Sequence, residues 1–391
     1  MAPDAVQIPT HATRAEDLLA ALTQARHATL ALVAGISEDD LERVHSPLMS
    51  PLAWDLGHIA AYEDLWLCNR QGALPLLRPD LAALYDAFET PRAVRGDIQA
   101  LDAAHARAYL EEVRARSAAV LAERGPGEGT VWEMVLRHEL QHCETMRQTM
   151  VIAGLLPGVE SALAPLMGPE EWIEVPAGHF DMGAAPQGFA YDNERPRHRV
   201  EVAAYRIARR PVSNASWMHF SEGGGYERRE WWSNEGWAWK QEYDITHHAA
   251  VAQGHPEAAA CHISWFEADA YARANDARLP TEPEWERAAT WEQESGQAAQ
   301  QRADPAERRR RGLLAGVGEV WEWTQTHFHG YPGFRAHPYR EYSEVFFGSD
   351  YRVLRGSSWA TDPRVSSITF RNWDLPQRRQ IFAGVRLASD A

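Results

Sequence analysis

Two histidines four residues apart are the clearest chemical signal in the sequence. His138 and His142 stand in the run RHELQH, within residues 128–153, where apolar residues recur every three or four positions and predict a helix. On a helix the two side chains share one face, one turn apart, and their imidazoles can bind a single metal ion. Because the chain has 17 histidines, one pair at this spacing is close to a chance event. The pair alone is therefore a weak indication of a metal site.

A third histidine strengthens that indication. His58 lies in the strongly apolar run PLAWDLGHI, within residues 50–70, which also has the spacing of a helix. It is either a hydrogen-bonded core histidine or a ligand, since the cores of helical bundles are where facing helices assemble metal sites. Three neutral imidazoles leave coordination positions open, as catalytic sites require. Zinc and ferrous iron both accept such a set, and the spacing does not choose between them.

The first part of the chain predicts helices throughout. Ala, Leu, Glu and Arg dominate residues 14–153, and Gly and Pro are confined to the breaks. The candidate helices are 14–34, 50–70, 98–124 and 128–153. Four such segments with one longer crossover favour a four-helix bundle.

The composition changes near residue 165. Of the 16 tryptophans, 13 follow residue 150, together with Gly- and Tyr-rich loops and short β-rich runs. This pattern predicts a loop-rich α+β domain whose core is largely aromatic. The expected strands are 172–176, 198–207, 351–355 and 384–388, and the expected helices are 214–220, 264–275 and 282–290. We therefore expect a multidomain α and α+β protein with domains 1–165 and 166–391.

Charge and hydropathy exclude several classes of function. The formal net charge of −16 argues against a general nucleic-acid-binding surface. No run of 18 apolar residues predicts a membrane span, and the first residues lack the charged start and apolar core of a signal peptide. We therefore expect a cytoplasmic protein without nucleic-acid or membrane partners. Its three cysteines are too few and too scattered for a disulfide framework.

Longer runs across both parts of the chain carry a family resemblance. They resemble the ergothioneine-pathway sulfoxide synthases and the closely related selenoneine synthases, which are non-heme iron enzymes. The family joins a DinB-like four-helix bundle to a formylglycine-generating-enzyme-like α+β domain of the sulfatase-modifying-factor, C-type-lectin-like kind. The matching runs are SPLMSPLAWDLGHI, LYDAFETPRAVRGD, HELQHCETM, AYDNERPRH, WWSNEGWAW, ARLPTEPEWERA, GEVWEWT, YRVLRGSSWA and FRNWDLPQRRQIFAGVRLA.

The resemblance implies a cofactor and a reaction. The cofactor is a ferrous ion held by His58, His138 and His142 in the helical domain. The reaction is the O2-dependent joining of a sulfur or selenium donor to the imidazole C2 atom of hercynine, which is trimethylated histidine. The enzyme is then an iron(II)-dependent oxidoreductase that forms C–S or C–Se bonds.

The resemblance also implies roles for single residues. The positions that match hercynine-binding residues are Gln141, Tyr342, Asn372 and Trp373. The positions that match residues gripping the γ-glutamyl-cysteine donor are Arg92, Arg95, Asp374 and Arg378. Tyr339 matches the catalytic tyrosine, which supplies a proton or a hydrogen atom. Aromatic faces suit a quaternary ammonium and Arg forks suit carboxylates, although Trp373 alone also fits plain core packing and Arg92 and Arg95 alone also fit surface charges.

Departures from the family pattern bear on the donor. The segment between Trp239 and His262 is shorter than in the sulfoxide synthases, and a Gln- and Arg-rich stretch replaces a Gly- and Trp-containing one between Trp291 and Gly318. Shortened rims admit a bulkier donor, which favours a selenosugar and a selenoneine synthase. The alternatives are a sulfoxide synthase using γ-glutamyl-cysteine or cysteine, and a zinc-dependent DinB-like thiol transferase. Formylglycine-generating chemistry is excluded, because it needs a late cysteine pair and no Cys follows Cys261.

Overall fold

The chain forms two compact units. The computed structural model describes residues 15–87, 89–98, 100–156, 163, 165–166, 171–248, 254–290, 314 and 317–391. The first unit consists of Met1–Leu156 and Gln187–Phe189, and the second of Pro157–Pro186 and Ala190–Ala391. The domain boundary at 165 and 166 stays a prediction, and the Gln- and Arg-rich stretch 292–311 lies outside the described residues.

The first unit is a helical bundle. Its helices are α1 (Ala15–Val33), α2 (Glu38–Glu42), α3 (Leu52–Glu63), α4 (Ala103–Arg124) and α5 (Thr130–Ile152). The four long ones lie where the sequence predicts helices. The predicted helix 98–124 starts only at Ala103, because the Asp102 side chain caps α4 by accepting a hydrogen bond from the backbone N–H of His105. No helix of the described residues is both long and apolar enough to cross a membrane.

The helix that carries His58 changes its hydrogen-bonding pattern. After α3 the chain continues without a break as a π-helix over Asp64–Gln71, a feature that the apolar spacing of 50–70 does not predict. α3 itself is buried nearly all round, because it packs against both α4 and α5. The apolar core includes Leu52, Leu56, Ile59 and Ala60 from α3, Leu110 and Val113 from α4, and Met146 and Met150 from α5.

Four charged side chains join the four long helices of this unit, of which Arg26, Glu63 and Glu139 are buried and Arg114 is mostly so. Arg26 of α1 donates to Glu63 and to Glu139, at 2.8 Å in each case. Arg114 of α4 donates to the same two carboxylates, at 2.7 and 2.8 Å. Burial by itself would raise the pKa of Glu63, but Arg114 and Arg26 bring it below its ordinary value. Two positive and two negative charges therefore neutralise one another inside the bundle.

The described residues of the second unit form three small sheets. Its strands are β1 (Trp172–Val175), β2 (Gly178–Met182), β3 (His198–Val202), β4 (Tyr205–Ala208), β5 (Trp321–His327), β6 (Arg352–Gly356), β7 (Asn372–Asp374), β8 (Ala383–Gly384) and β9 (Ala388–Asp390). The strand orders are β1-β4-β9, β2-β3 and β7-β6-β5-β8, and only the β5–β8 pair is parallel. The helices are α6 (Asn214–Glu222), α7 (Asn234–Glu242), α8 (Trp265–Ala274) and α9 (282–290).

Several details of this unit differ from the sequence expectation. The strand expected over 384–388 is instead the end of β8 and the start of β9, with 385–387 between them. The single strand expected over 198–207 is two strands in two different sheets, because β3 pairs with β2 and β4 pairs with β1 and β9. Helix α7 was not expected at all, although Ser233 provides the signal of an N-cap and accepts from the backbone N–H of Gly236. The predicted class, a helical bundle with an α+β domain, is confirmed.

Tryptophan side chains stabilise the second unit through hydrogen bonds from their indole N–H groups as well as through apolar packing. The indole N–H of Trp323 donates to the carbonyl of Ile263, and that of Trp265 donates to the carbonyl of Thr324. Trp285 donates to the carboxylate of Glu322 at 2.6 Å. These bonds join segments that are distant in sequence. The many tryptophans therefore help to stabilise a domain with little regular structure.

Buried ion pairs hold the start of β7, the strand that carries part of the second unit's predicted site. Arg371 donates to both oxygens of Glu282, at 2.6 and 2.9 Å, and Arg355 donates to Glu282 and Glu286. The pKa of Glu282 is below its ordinary value, because the two arginines outweigh the effect of burial. Arg371 thereby ties the start of β7 to helix α9.

Removing one charge from the cluster of Arg26, Glu63, Arg114 and Glu139 should lower the stability of the bundle. We expect Arg26→Met to lower the free energy of unfolding by about 3–5 kcal/mol, because it leaves a buried carboxylate with too little positive charge. Urea denaturation followed by far-UV circular dichroism measures the change. Arg107→Met, which breaks a surface pair with Glu38, is the matched control and should lose at most about 1 kcal/mol. Equal losses in the two variants would contradict a special role for the buried cluster.

Candidate metal centre

Helices α3 and α5 bring three histidines together in the first unit. The side chains of His58, His138 and His142 each offer a nitrogen, and these nitrogens all lie within 4.8 Å of one another. The ring centroids are 4.5–4.9 Å apart in every pair. Within the part of the chain that the structure describes, no other three His, Cys, Asp or Glu side chains are grouped in this way.

The donor set fits a divalent metal ion. The Nε2 atoms of His58 and His138 are 3.1 Å apart, close to the spacing of two imidazole ligands that each lie about 2.1 Å from one ion at a right angle. Burial lowers the pKa of both His58 and His138 well below the ordinary value, so both rings are neutral at pH 7, as ligands must be. Three imidazoles suit zinc or ferrous iron and leave positions for other ligands.

Hydrogen bonds to the far side of two rings set which nitrogen faces the cluster. His58 donates from Nδ1 to the backbone carbonyl of Tyr85 at 2.6 Å, which leaves the lone pair of Nε2 for a metal. Asp55, buried on α3, accepts from Nδ1 of His142 at 3.3 Å. A larger residue in place of Gly57 would force Tyr85 to move, because the added Cβ would lie 2.2 Å from Cζ of that ring. The glycine thus lets Tyr85 approach His58.

Aromatic rings cover two faces of the histidine cluster. Trp54 stacks on His58, with centroids 4.9 Å apart and planes at 12°. Tyr62 stacks on His138, with centroids 3.7 Å apart and planes at 13°. Sequence reasoning missed Tyr62, Trp54 and Asp55 as members of this site. The signal was present, because all three lie three or four residues from His58 on the same helix.

The other predicted residues of this unit have different surroundings. Gln141 is half-buried beside His142 on α5, and Arg92 is exposed in a short 3-10 turn. Arg95 is buried and donates to the carbonyl of Thr90, the hydroxyl of Ser50 and the carbonyl of Ala87. Its guanidinium also lies 3.6 Å from the centroid of the Trp54 ring. A cavity of about 190 Å³ borders Trp54 and Arg95.

The second unit brings its own predicted residues into one group. Tyr342 meets Trp373 edge to face, with centroids 6.0 Å apart and planes at 86°, and Tyr339 meets Tyr342 in the same manner at 6.3 Å. Trp373 is half-buried, and one neighbour, Phe328, stacks on it at 4.2 Å. Trp373 therefore combines core packing with a partly accessible ring.

The polar residues of this group lie on and after β7. The side chain of Asn372 accepts from the backbone N–H of Trp373 at 2.9 Å. Asp374 accepts from the backbone N–H of Leu375, and Arg378 forms an ion pair with Asp374 at 3.5 Å. The structure thus gathers six of the predicted residues in the second unit. In the first unit, Gln141 adjoins His142, Arg95 stacks on the indole that covers His58, and Arg92 is on the surface. Their functional roles stay predictions.

Comparisons with known proteins define the class and then the family. Residues 21–146 match the DinB superfamily model, and residues 162–311 and 290–391 match the sulfatase-modifying factor enzyme 1-like domain model. A hercynine oxygenase of Mycobacterium tuberculosis is 40% identical, over 97% of this chain and 100% of that protein. Another, of Mycolicibacterium thermoresistibile, is 39% identical over 98% and 96%. The chain belongs to the hercynine oxygenase family, which confirms the resemblance seen in the sequence.

A more distant relative and the length of the alignment add detail. Ergothioneine biosynthesis protein 1 of Schizosaccharomyces pombe is 25% identical over 66% of this chain and 38% of that protein. The alignment with the M. tuberculosis protein spans 424 positions, more than the 391 residues of this chain. That relative therefore contains residues without a counterpart here, in line with the shortened segments noted in the sequence.

Loss of one histidine should abolish stoichiometric metal binding. We expect metal-free wild-type protein to take up one equivalent of Fe(II) under anaerobic conditions, and His138→Ala to take up none at the same concentration, because two imidazoles on different helices remain. The helical content should stay unchanged in circular dichroism. His27→Ala, at an exposed histidine of α1, is the control and should bind like wild type. Unaltered iron uptake by His138→Ala would rule out the three-histidine site.

Proposed function

We propose that the protein is an iron(II)-dependent enzyme that uses O2 to join a selenium or sulfur donor to the imidazole C2 atom of hercynine. The observation that carries this proposal is the cluster of His58, His138 and His142 in a chain that belongs to the hercynine oxygenase family. Three neutral nitrogen ligands suit a ferrous ion that must still accept other ligands. When bound there, iron would supply the activation of O2.

The reaction balances with a single O2. With a thiol or selenol donor, the C2–H bond of hercynine and the S–H or Se–H bond break while the C–S or C–Se bond forms. One oxygen atom leaves as water with the two hydrogens, and the other stays on the chalcogen as a sulfoxide or selenoxide. O2 is reduced by four electrons, which come from carbon and from the chalcogen. We assign the required proton or hydrogen-atom donor to Tyr339, a half-buried phenol.

The hercynine cation has a chemically suitable partner in the second unit. Trp373 and Tyr342 stand at right angles and are both half-buried, so they offer aromatic surface to a trimethylammonium group. Asn372 adds an amide next to Trp373. In the first unit, Gln141 adjoins His142, and we assign its amide to the imidazole of the substrate.

The state of Arg95 favours a neutral donor. γ-Glutamyl-cysteine carries two carboxylates, whereas a selenosugar carries none. Arg95 already donates to three protein oxygens and stacks on Trp54, so a carboxylate would have to compete with these bonds. The M. tuberculosis protein has residues without a counterpart here, and a shorter rim in this chain would leave room for a bulkier donor. We therefore propose a selenoneine synthase whose donor is a selenosugar with a free selenol and whose product is the selenoxide that joins this sugar to C2 of hercynine. The alternative sulfur donor, γ-glutamyl-cysteine or cysteine, is supported by the presence of Asp374 and Arg378 at positions that match the donor-binding residues of the family.

Truncation of Trp373 should weaken substrate binding. We expect Trp373→Ala to lose about 1–2 kcal/mol of hercynine affinity, the scale of a partly desolvated cation–π contact. Anaerobic calorimetry on iron-loaded protein measures the affinity. Trp172→Ala removes an exposed indole of β1 that the proposal does not use, and it should bind hercynine like wild type. Equal affinity of Trp373→Ala and wild type would return Trp373 to a packing role.

One assay tests the reaction and the donor together. Iron-loaded protein receives hercynine and O2 with a selenosugar, γ-glutamyl-cysteine or cysteine in parallel, and mass spectrometry reads the products. We expect the selenosugar to give the C2–Se product at the highest kcat/KM. A preferred sulfur donor would identify a sulfoxide synthase instead. Tightly bound zinc in anaerobically purified protein, with no O2 uptake when hercynine is present, would favour the zinc-dependent thiol transferase.

A further inference from the structure

One short turn of the second unit contacts both segments that carry its predicted site. The turn is a single 3-10 turn over Asp192–Glu194, preceded by Tyr191. We propose that Asp192 is a positioning residue for Tyr339 and Tyr342. Residues 191–194 then fix the position of residues 337–343, the tyrosine segment, relative to β7. The inference rests on the proposed function, since it concerns the alignment of residues assigned to hercynine and to proton donation.

Asp192 accepts hydrogen bonds from both ends of the tyrosine segment. The hydroxyl of Ser343 donates to Oδ1 of Asp192 at 2.7 Å, and the backbone N–H of His337 donates to Oδ2 at 3.3 Å. These two donors bracket Tyr339 and Tyr342 in sequence. One carboxylate thus fixes the first and the last residue of the bend from which both phenols project.

The residue before Asp192 supports the same segment with its ring. Tyr191 stacks on Tyr342, with centroids 4.5 Å apart and planes at 7°. Tyr191 also meets Phe370 edge to face at 5.6 Å. Its ring therefore lies against the tyrosine segment on one side and against the approach to β7 on the other.

The rest of the turn contacts the chain that leads into β7. The backbone carbonyl of Asn193 accepts from Arg371 at 2.8 Å, and the carboxylate of Glu194 accepts from the hydroxyl of Thr369 at 2.6 Å. Thr369 and Arg371 flank Phe370 and immediately precede Asn372. The turn therefore contacts the two elements on which the proposed hercynine residues of this unit stand.

The turn is itself rigid and shielded from water. Glu194 accepts from the backbone N–H of Tyr191 at 2.9 Å, and its backbone carbonyl accepts from Ala184. Asp192, Asn193 and Glu194 are all buried. Burial raises the pKa of Asp192, although the bonds from Ser343 and His337 act against it. A desolvated carboxylate that bonds the tyrosine segment twice is a strong constraint on where that segment lies.

Four variants of the full-length, iron-loaded enzyme test this assignment. Asp192→Ala removes both contacts, Ser343→Ala removes one, and Asp192→Asn keeps an acceptor oxygen for Ser343. We expect Asp192→Ala to lower kcat/KM for hercynine on the order of tenfold to a hundredfold, with weaker hercynine binding in calorimetry. Ser343→Ala should show a smaller loss of the same kind, and Asp192→Asn should recover much of the activity. Because the two residues share a bond, the double variant should lose less than the two single losses combined.

A matched control separates positioning from stability. Asp269→Ala removes another buried aspartate of the same unit, one that pairs with Arg273 on α8 and, within the described residues, forms no hydrogen bond or ion pair with a residue of the proposed site. It should lower the melting temperature while the hercynine affinity stays at the wild-type value. If Asp192→Ala keeps the wild-type hercynine affinity and kcat, the positioning role is wrong. It is also wrong if Asp269→Ala loses as much hercynine affinity as Asp192→Ala does. A wild-type enzyme that turns over no hercynine with any donor would instead overturn the proposed function.

Discussion

The buried cluster of Arg26, Glu63, Arg114 and Glu139 is the constraint on which the helical unit depends. Each charge is taken out of water at a large cost, which only its partners on other helices offset. The bonds therefore hold only at one axial register of α1, α3, α4 and α5. Glu139 directly follows His138, and Glu63 lies in the same helix as His58. The register that satisfies the charges therefore also sets the spacing of the three histidines.

The second unit solves a related problem with little secondary structure. Most of its strands span two to five residues, so backbone pairing alone specifies few positions. Buried arginines paired with Glu282, Glu286 and Glu322, together with the indole N–H bonds of several tryptophans, connect segments far apart in sequence. Arg371 belongs to this network and is followed at once by Asn372 and Trp373. In both units, then, a buried ion pair stands next to the residues that the proposed chemistry uses.

Local patterns in the sequence predicted some features well and others not at all. Helical periodicity located the four long helices, and the spacing of His138 and His142 located two of the three clustered histidines, because both are properties of a single helix. The π-helix, the division of 198–207 between two sheets and the roles of Asp55 and Tyr62 depend on tertiary partners instead. Asp55 matters because a residue 87 positions away donates to it. Tyr62 matters because α5 places His138 against its ring. No window of sequence contains those relations.

Arg95 shows what a match of residue type can and cannot carry over. A planar guanidinium can stack on an indole with its face while its edge donates to oxygens, which a lysine cannot do. Arg95 does both, with Trp54 at 3.6 Å and with Thr90, Ser50 and Ala87 at its edge, and Trp54 in turn stacks on His58. These contacts account for an arginine at this position without a carboxylate donor, in keeping with the neutral donor proposed above. A donor that carries carboxylates would instead need arginines that have fewer protein contacts, and Arg92 is exposed in the same turn.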